Sequence, residues 1–213
     1  MATTIRVAHS PDSDDAFMFY GLASGAVKSE GIEFVYELSD IETLNHAARD
    51  GRFEVTALSV HAYPYLADKY LILDSGASLG DGYGPTVVVP KGSPVRSLDD
   101  LSGKRIAIPG TRTSAALALA LRLPRHEAIA MDFKAVGDAA KRGEVDAGLV
   151  IHEGQLTAEQ EGLRVVEDLG KSWKERTALP LPLGMNAIRR DLPLRLRETL
   201  ARVMRDSIDF ALD

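Results

Sequence analysis

Cysteine is absent from the 213 residues, which removes disulfides, thiolate metal ligands and cysteine nucleophiles and leaves the redox compartment open. Basic runs are missing too, and the formal net charge is −6. That balance argues against nucleic acid and against anionic membrane surfaces, while an anionic small molecule held by local groups stays compatible with it. Apolar runs fall well short of the ~20 residues needed to span a bilayer. The amino terminus, Met1-Ala2-Thr3-Thr4-Ile5-Arg6-Val7, has no apolar signal core. The expectation is a soluble, cytoplasmic chain. No internal repeat or low-complexity tract appears, and the glycine-rich stretch lacks the strand-to-helix setting of a phosphate loop, so no nucleotide cofactor is expected.

What is present is a β-α pattern, used twice. Its sharpest piece is Val145-Asp146-Ala147-Gly148-Leu149-Val150-Ile151-His152-Glu153, an apolar run ending in a histidine beside a carboxylate. Such runs read as buried strands, and open α/β sheets bind ligands at the carboxyl ends of their strands. His152 could accept a proton at neutral pH, with Glu153 or a backbone carbonyl fixing its tautomer. The alternative is a strand-end histidine making one structural hydrogen bond.

From the amino terminus, Ile5-Arg6-Val7-Ala8 reads as a strand and His9-Ser10-Pro11-Asp12-Ser13-Asp14-Asp15 as a turn opening a helix, with Ser13 or Asp14 as the cap. The Asp-x-Asp pair there lacks the glycine and distal glutamate of a calcium loop, so no metal is expected. Ile32 to Leu38 alternates as a strand, followed by a helix capped by Asp40 and closed by Gly51. Val55 to Val60 is the third strand; Ser59 near its end and His61 after it are candidate pocket groups, with capping and packing as the plainer roles, and the chain then leads into another helix. Ser75 to Pro85 is glycine-rich and reads as a hinge or a loop.

The pattern restarts after Pro94. Ile106-Ala107-Ile108 is a strand, and Ala115 to Leu121 reads as a helix because alanine and leucine favour one. Thr113 and Ser114 at its start bring hydroxyls and free amides together, which suits either an anion or an ordinary N-cap. Ile129 to Phe133 is the next strand and Val136 to Arg142 a short helix. Prolines confine the extended Leu179 to Ile188 to a sheet edge or a crossover. Leu196, Leu200, Val203, Met204 and Ile208 form one helical face that runs to Asp213 without a stop signal, so the first lobe reads as cut short. The resulting expectation is a large lobe of residues 1–90 plus 188–213 and a small lobe of 91–187 that includes the crossover segments. A ligand would sit between them.

Several pieces together resemble the 1,4-dihydroxy-6-naphthoate synthase family of menaquinone biosynthesis. They are Ser10-Pro11 with Asp15, Asp40-Ile41-Glu42-Thr43-Leu44-Asn45, Ser75-Gly76 through Gly84-Pro85, Ile151-His152-Glu153, and Leu179-Pro180-Leu181-Pro182-Leu183-Gly184. The resemblance implies an α/β, two-lobed type II periplasmic-binding-protein-like clamshell with a discontinuous first lobe. It implies a cofactor-independent carbon–carbon lyase that converts cyclic dehypoxanthine futalosine, with His152 as catalytic base. Ser114 with the Ala115 amide would hold a substrate carboxylate, and Ser10 and Ser59 would line the pocket. Where the family commonly has Ser-Pro-Cys-Pro-Asn-Asp, this chain reads Ser10-Pro11-Asp12-Ser13-Asp14-Asp15, so Asp14 offers the substrate a carboxylate in place of an amide. Family members also continue past this length. The expected partner is a small-molecule carboxylate, and a homodimer is compatible with the sequence. The rival readings are a chorismate dehydratase of the same pathway and a non-catalytic solute-binding protein.

Overall fold

Short β-branched runs and capped helical segments alternate along the chain, and the computed structural model shows how the runs pair. It describes every residue except Met1, Glu30 and Glu153, and only the backbone of Gly154 and Leu156. The chain begins β1 (Thr3–His9), α1 (Ser13–Ala23), β2 (Ile32–Leu38), α2 (Ile41–Ala48), β3 (Val55–Ser59), β4 (Tyr70–Gly80) and β5 (Thr86–Pro90). It continues with β6 (Arg105–Ile108), α3 (Ser114–Arg122), β7 (Glu127–Ala130), α4 (Val136–Lys141), β8 (Ala147–Val150) and α5 (Gly154–Thr157). The last elements are β9 (Leu163–Asp168), α6 (Leu169–Thr177), β10 (Leu181–Arg189) and α7 (Leu194–Leu212). These form two compact units, Met1–Ser78 with Gly184–Asp213, and Leu79–Leu183.

The first unit carries the sheet β2-β1-β3-β10-β4. Parallel pairing of β1 with β2 and β3 brings the carboxyl ends of three strands to one edge, and the antiparallel β10 sets Gly184 opposite Ser59. One cluster buries Ile5, Val7, Phe19, Leu22, Val55, Val203 and Met204, and α2 contributes Leu44 to a second with Ala8, Phe53 and Ala57. Each fully buried side chain of this size contributes roughly 1.5–3 kcal/mol. Ser207 of α7 enters α1 itself: its hydroxyl accepts from the Leu22 amide at 3.1 Å and donates to the Met18 carbonyl at 2.8 Å, bridging the pair that an α-helix would join directly. Gly21 permits this approach, since a Cβ there would lie 3.0 Å from Ser207.

The second unit carries the sheet β7-β6-β8-β5-β9, with β6 parallel to β7 and β8 and with β5 antiparallel to β8 and β9. Val87, Ile106, Leu119, Leu149 and Leu169 fill one cluster, while Val88, Ala107, Val136, Ala140 and Leu163 fill another. Among the described residues no helix is long and apolar enough to cross a membrane.

Several sequence-based boundaries move. The unit boundaries fall after Ser78 and Leu183, where 90/91 and 187/188 were expected, because Thr86–Pro90 finds its partners in β8 and β9. Ser75 to Gly80 belongs to β4, and only residues 81–85 of the glycine-rich stretch form a loop. β7 ends at Ala130, and Phe133–Ala135 forms a single 3₁₀ turn. After Ser59 a short 3₁₀ turn, Tyr63–Tyr65, takes the place of the expected helix. β10 is the crossover that the prolines suggested, yet it lies inside its sheet; its pairing with β3 begins at Gly184, beyond Pro182.

Candidate active site

In the first unit Ser10 directly follows β1 and Ser59 ends β3, a neighbouring parallel strand. Ser10 is tied on both sides: its amide donates to Asp15 Oδ2 at 2.6 Å and its hydroxyl to Asp12 Oδ2 at 2.5 Å. The α1 cap therefore differs from the expected Ser13 or Asp14. The N-cap position is Asp12, which makes no side-chain cap bond, because its carboxylate receives Ser10. Asp14 is exposed and accepts from the Ser78 hydroxyl at 2.6 Å. Ser59 is fixed by Asn45 of α2, whose Oδ1 accepts from the Ser59 amide at 2.9 Å and whose Nδ2 donates to Ser59 Oγ at 3.0 Å. With the Asn45 N–H already filling one acceptor site on Oγ, the Ser59 proton points away from Asn45.

Sequence reasoning passed over His9, which ends β1 much as His152 follows β8. It is buried, its ring stacks on Phe19 at 4.2 Å, and its Nδ1 lies 2.7 Å from the Ser10 carbonyl. A carbonyl only accepts, so Nδ1 carries the proton and Nε2 the lone pair. Burial lowers its pKa below the ordinary value, partly opposed by the Ser10 bond, and so favours the neutral ring.

In the second unit the candidates follow β6 and β8, again neighbouring parallel strands. Thr113 is the N-cap of α3: its hydroxyl accepts from the Ala116 amide at 3.2 Å and donates to the Gly110 carbonyl at 3.0 Å. The Ser114 hydroxyl donates to the Leu183 carbonyl at 2.5 Å. The Ser114 and Ala115 amides open the helix, where helical geometry supplies no acceptor. Outside glycine only His152, at φ 54°, and Ala178, at φ 62°, have left-handed backbones among the described residues. For an ordinary residue this conformation costs about 1–2 kcal/mol and persists only where the surroundings over-determine it. The His152 imidazole meets the Phe133 ring edge-on at 5.4 Å. Glu153, the expected tautomer-fixing carboxylate, lies outside the described residues.

Each unit thus gathers polar side chains at the carboxyl ends of adjacent parallel strands, the arrangement of a ligand-binding α/β protein. Residues 5–213 match the menaquinone biosynthesis family. A 1,4-dihydroxy-6-naphthoate synthase of Thermus thermophilus is 41% identical over 208 residues, covering 98% of this chain and 74% of the relative. The enzyme of that name from Streptomyces coelicolor is 34% identical, covering 100% and 75%. A crystal structure of an Archaeoglobus fulgidus protein is 52% identical with a TM-score of 0.88, covering 98% of this chain and 76% of that one. An alkanesulfonate-binding protein of Xanthomonas axonopodis pv. citri, solved with MOPS, gives a TM-score of 0.78 at 16% identity, covering 99% and 74%. The last likeness concerns the fold alone, which is the α/β, type II periplasmic-binding-protein-like one. The chain belongs to the menaquinone biosynthesis family that includes the 1,4-dihydroxy-6-naphthoate synthases.

Proposed function

We propose that the chain is a cofactor-independent carbon–carbon lyase that converts cyclic dehypoxanthine futalosine to 1,4-dihydroxy-6-naphthoate in the cytoplasm. The carrying observation is the strained His152 backbone at a strand's carboxyl end, in a chain whose curated relatives are named for that product. His152 takes a proton from the substrate, and the released electron pair forms a carbonyl on the departing sugar-derived fragment as the carbon–carbon bond breaks. The pair from that bond passes into the ring, which takes up a proton and aromatises to the naphthoate, supplying the driving force. Ser114 and the Ala115 amide receive a substrate carboxylate, for which the Ser114 hydroxyl turns from the Leu183 carbonyl. Ser10, Asp14 and Ser59 of the first unit and Thr113 of the second complete the binding groups, and positioning with proton transfer is all the reaction asks of the protein.

The test mixes purified protein with cyclic dehypoxanthine futalosine and follows the naphthoate chromophore. His152→Asn keeps size and some hydrogen bonding but has no basic nitrogen, so it should lose about 10²–10⁴-fold in kcat with little change in affinity. Ser114→Ala should raise KM more than it lowers kcat, because a carboxylate is charged before and during reaction. The wild-type rate should fall at acid pH as the imidazole protonates. Binding without product would favour a solute-binding protein, and full turnover by His152→Asn would remove His152 from the mechanism.

A further inference from the structure

The bonds around His152 continue away from the imidazole, and every link lies in the second unit. Gln155, in the short helix α5 that follows, meets the His152 backbone twice. Its own amide donates to the His152 carbonyl at 3.1 Å. Its side-chain oxygen accepts from the His152 amide at 3.2 Å, while its side-chain nitrogen donates to the Gly84 carbonyl at 2.7 Å. The reverse amide orientation would set acceptor against acceptor at Gly84 and donor against donor at His152, so the surroundings choose this one.

Gly84 is itself held. A Cβ on Gly84 would lie 3.0 Å from the Gly170 backbone, and one on Gly170 would lie 2.0 Å from the Tyr83 carbonyl oxygen. No side chain separates the two backbones there, and the Leu169 amide donates to the Pro85 carbonyl at 2.9 Å beside them. The Gly84 carbonyl is an anchor, and Gln155 hangs His152 from it. Fixing both the amide and the carbonyl of one residue fixes its φ and ψ, and these set the direction of its Cα–Cβ bond.

We propose that Gln155 is a positioning residue that holds His152 in its left-handed conformation and thereby aims the imidazole, with the Gly84 carbonyl as its fixed point. A carboxamide suits the task because one group supplies the acceptor for His152 and the donor for Gly84; glutamate supplies acceptors only and methionine neither. The catalytic consequence rests on the reading of His152 as the base. The hold itself does not.

The test therefore has two readouts on the full chain. Amide hydrogen exchange by NMR reports the hold: in Gln155→Met the His152 amide should exchange about tenfold faster than in wild type, with the β8 amides unchanged. Turnover of cyclic dehypoxanthine futalosine reports the aim: kcat should fall about 10–100-fold with KM within about twofold. The same substitution in a His152→Asn background should add no more than about twofold, since it acts through that ring. Gln155→Glu keeps an oxygen for the His152 amide and loses the Gly84 donor, so it should cost turnover too, and it serves if the methionine variant does not fold. Unchanged His152 exchange in both variants overturns the hold, and equal losses with and without His152 overturn the aim. Full activity of His152→Asn would sink the base reading while leaving the exchange result to decide whether Gln155 holds His152.

Discussion

Replacing Gly170 by alanine should damage the protein at a point where composition predicts a gain. Gly170 is the second residue of α6, its amide donates to the Asp168 carboxylate at 2.9 Å, and its backbone is not left-handed. Helix propensity alone would favour alanine by up to about 1 kcal/mol. Against this, the new Cβ would lie 2.0 Å from the Tyr83 carbonyl oxygen, 2.2 Å from its carbon and 2.6 Å from the Gly84 amide. All three are backbone atoms, so no rotamer change relieves them. Carbon contacts are comfortable only near ~3.5–4.0 Å, and the 83–84 peptide or the helix start must therefore retreat by more than about 1 Å. Overpacking of this kind costs about 1–3 kcal/mol, and with backbone on both sides the upper end applies, for a net loss of about 2 kcal/mol after the helical gain. For a chain of this length that is roughly 4–8 °C in Tm, read by calorimetry. Gly92→Ala is the control: nothing lies within 4 Å of its Cβ and its backbone is not left-handed, so its stability should stay within about 0.5 kcal/mol of wild type. The same retreat would carry Gly84 away from Gln155, so Gly170→Ala should also speed exchange at the His152 amide. Wild-type stability together with wild-type exchange in Gly170→Ala would show that the close approach does not exist.

Two further outcomes follow from the first unit. Glu54, 9% exposed, accepts from the Arg6 side chain and amide and from Arg189; burial pushes its pKa up, but these bonds and charges outweigh it and hold the carboxyl below its ordinary 4.5. A depressed folded pKa means that its stabilisation is fully present above about pH 4.5 and is lost as pH falls through the lower folded value. Glu54→Gln should therefore cost about 2–3 kcal/mol in urea unfolding at pH 7, with the deficit shrinking toward pH 3; a pH-independent deficit would refute the linkage. Asn45→Asp leaves only acceptors beside Ser59, so the Ser59 proton should turn inward. KM should rise about 3–10-fold, and adding Ser59→Ala should raise it no further; an additive pair would show that Asn45 acts elsewhere.

Elements set by local rules were legible in the sequence. Asp40 accepts from the Thr43 amide at 3.0 Å as a cap should, Thr113 caps α3, and the buried Leu200, Val203 and Met204 of α7 follow the helical stripe. Part of what escaped depended on partners far away in the chain, and part on side-chain pairings within a few residues that residue types alone do not announce. Gly76, with φ 80°, reads as loop, yet a Cβ there would lie 2.3 Å from the Asn186 amide nitrogen: the glycine is spent on a close approach between β4 and a strand more than a hundred residues on. Strand β5 looks like the end of the first lobe until Leu163–Asp168 appears beside it. The acidic first turn reads as a helix cap because capping is what serine and aspartate usually do at a helix start, while here Ser10, two and five residues away, claims both Asp12 and Asp15. His152 was visible as a residue type at a strand end; its left-handed backbone and the Gln155 that meets it were not, since a single glutamine in a four-residue helix has no pattern of its own.

The two units solve the same problem by the same chemistry. A hydroxyl or imidazole at a strand's carboxyl end is useful only if its direction is set before a ligand arrives, because a group that must be oriented during reaction returns part of its advantage as entropy. A charged bracket would fix it strongly, but would also place a field beside the reacting atoms and shift the protonation of the group it holds. A carboxamide fixes it with one donor and one acceptor on a short planar end and adds no net charge. Asn45 does this to Ser59, gripping its amide and its oxygen, and Gln155 does it to His152, gripping its amide and reaching to Gly84. Aspartate and glutamate match these residues in size and differ in one atom, so the isosteric acids are the sensitive probes: they preserve shape, remove the donor and put a charge where the carboxamide had none. If the brackets matter for what the carboxamide donates, the acid variants should fold like wild type and fail in the assay. Were they to work as well as wild type, only the space the brackets fill would count.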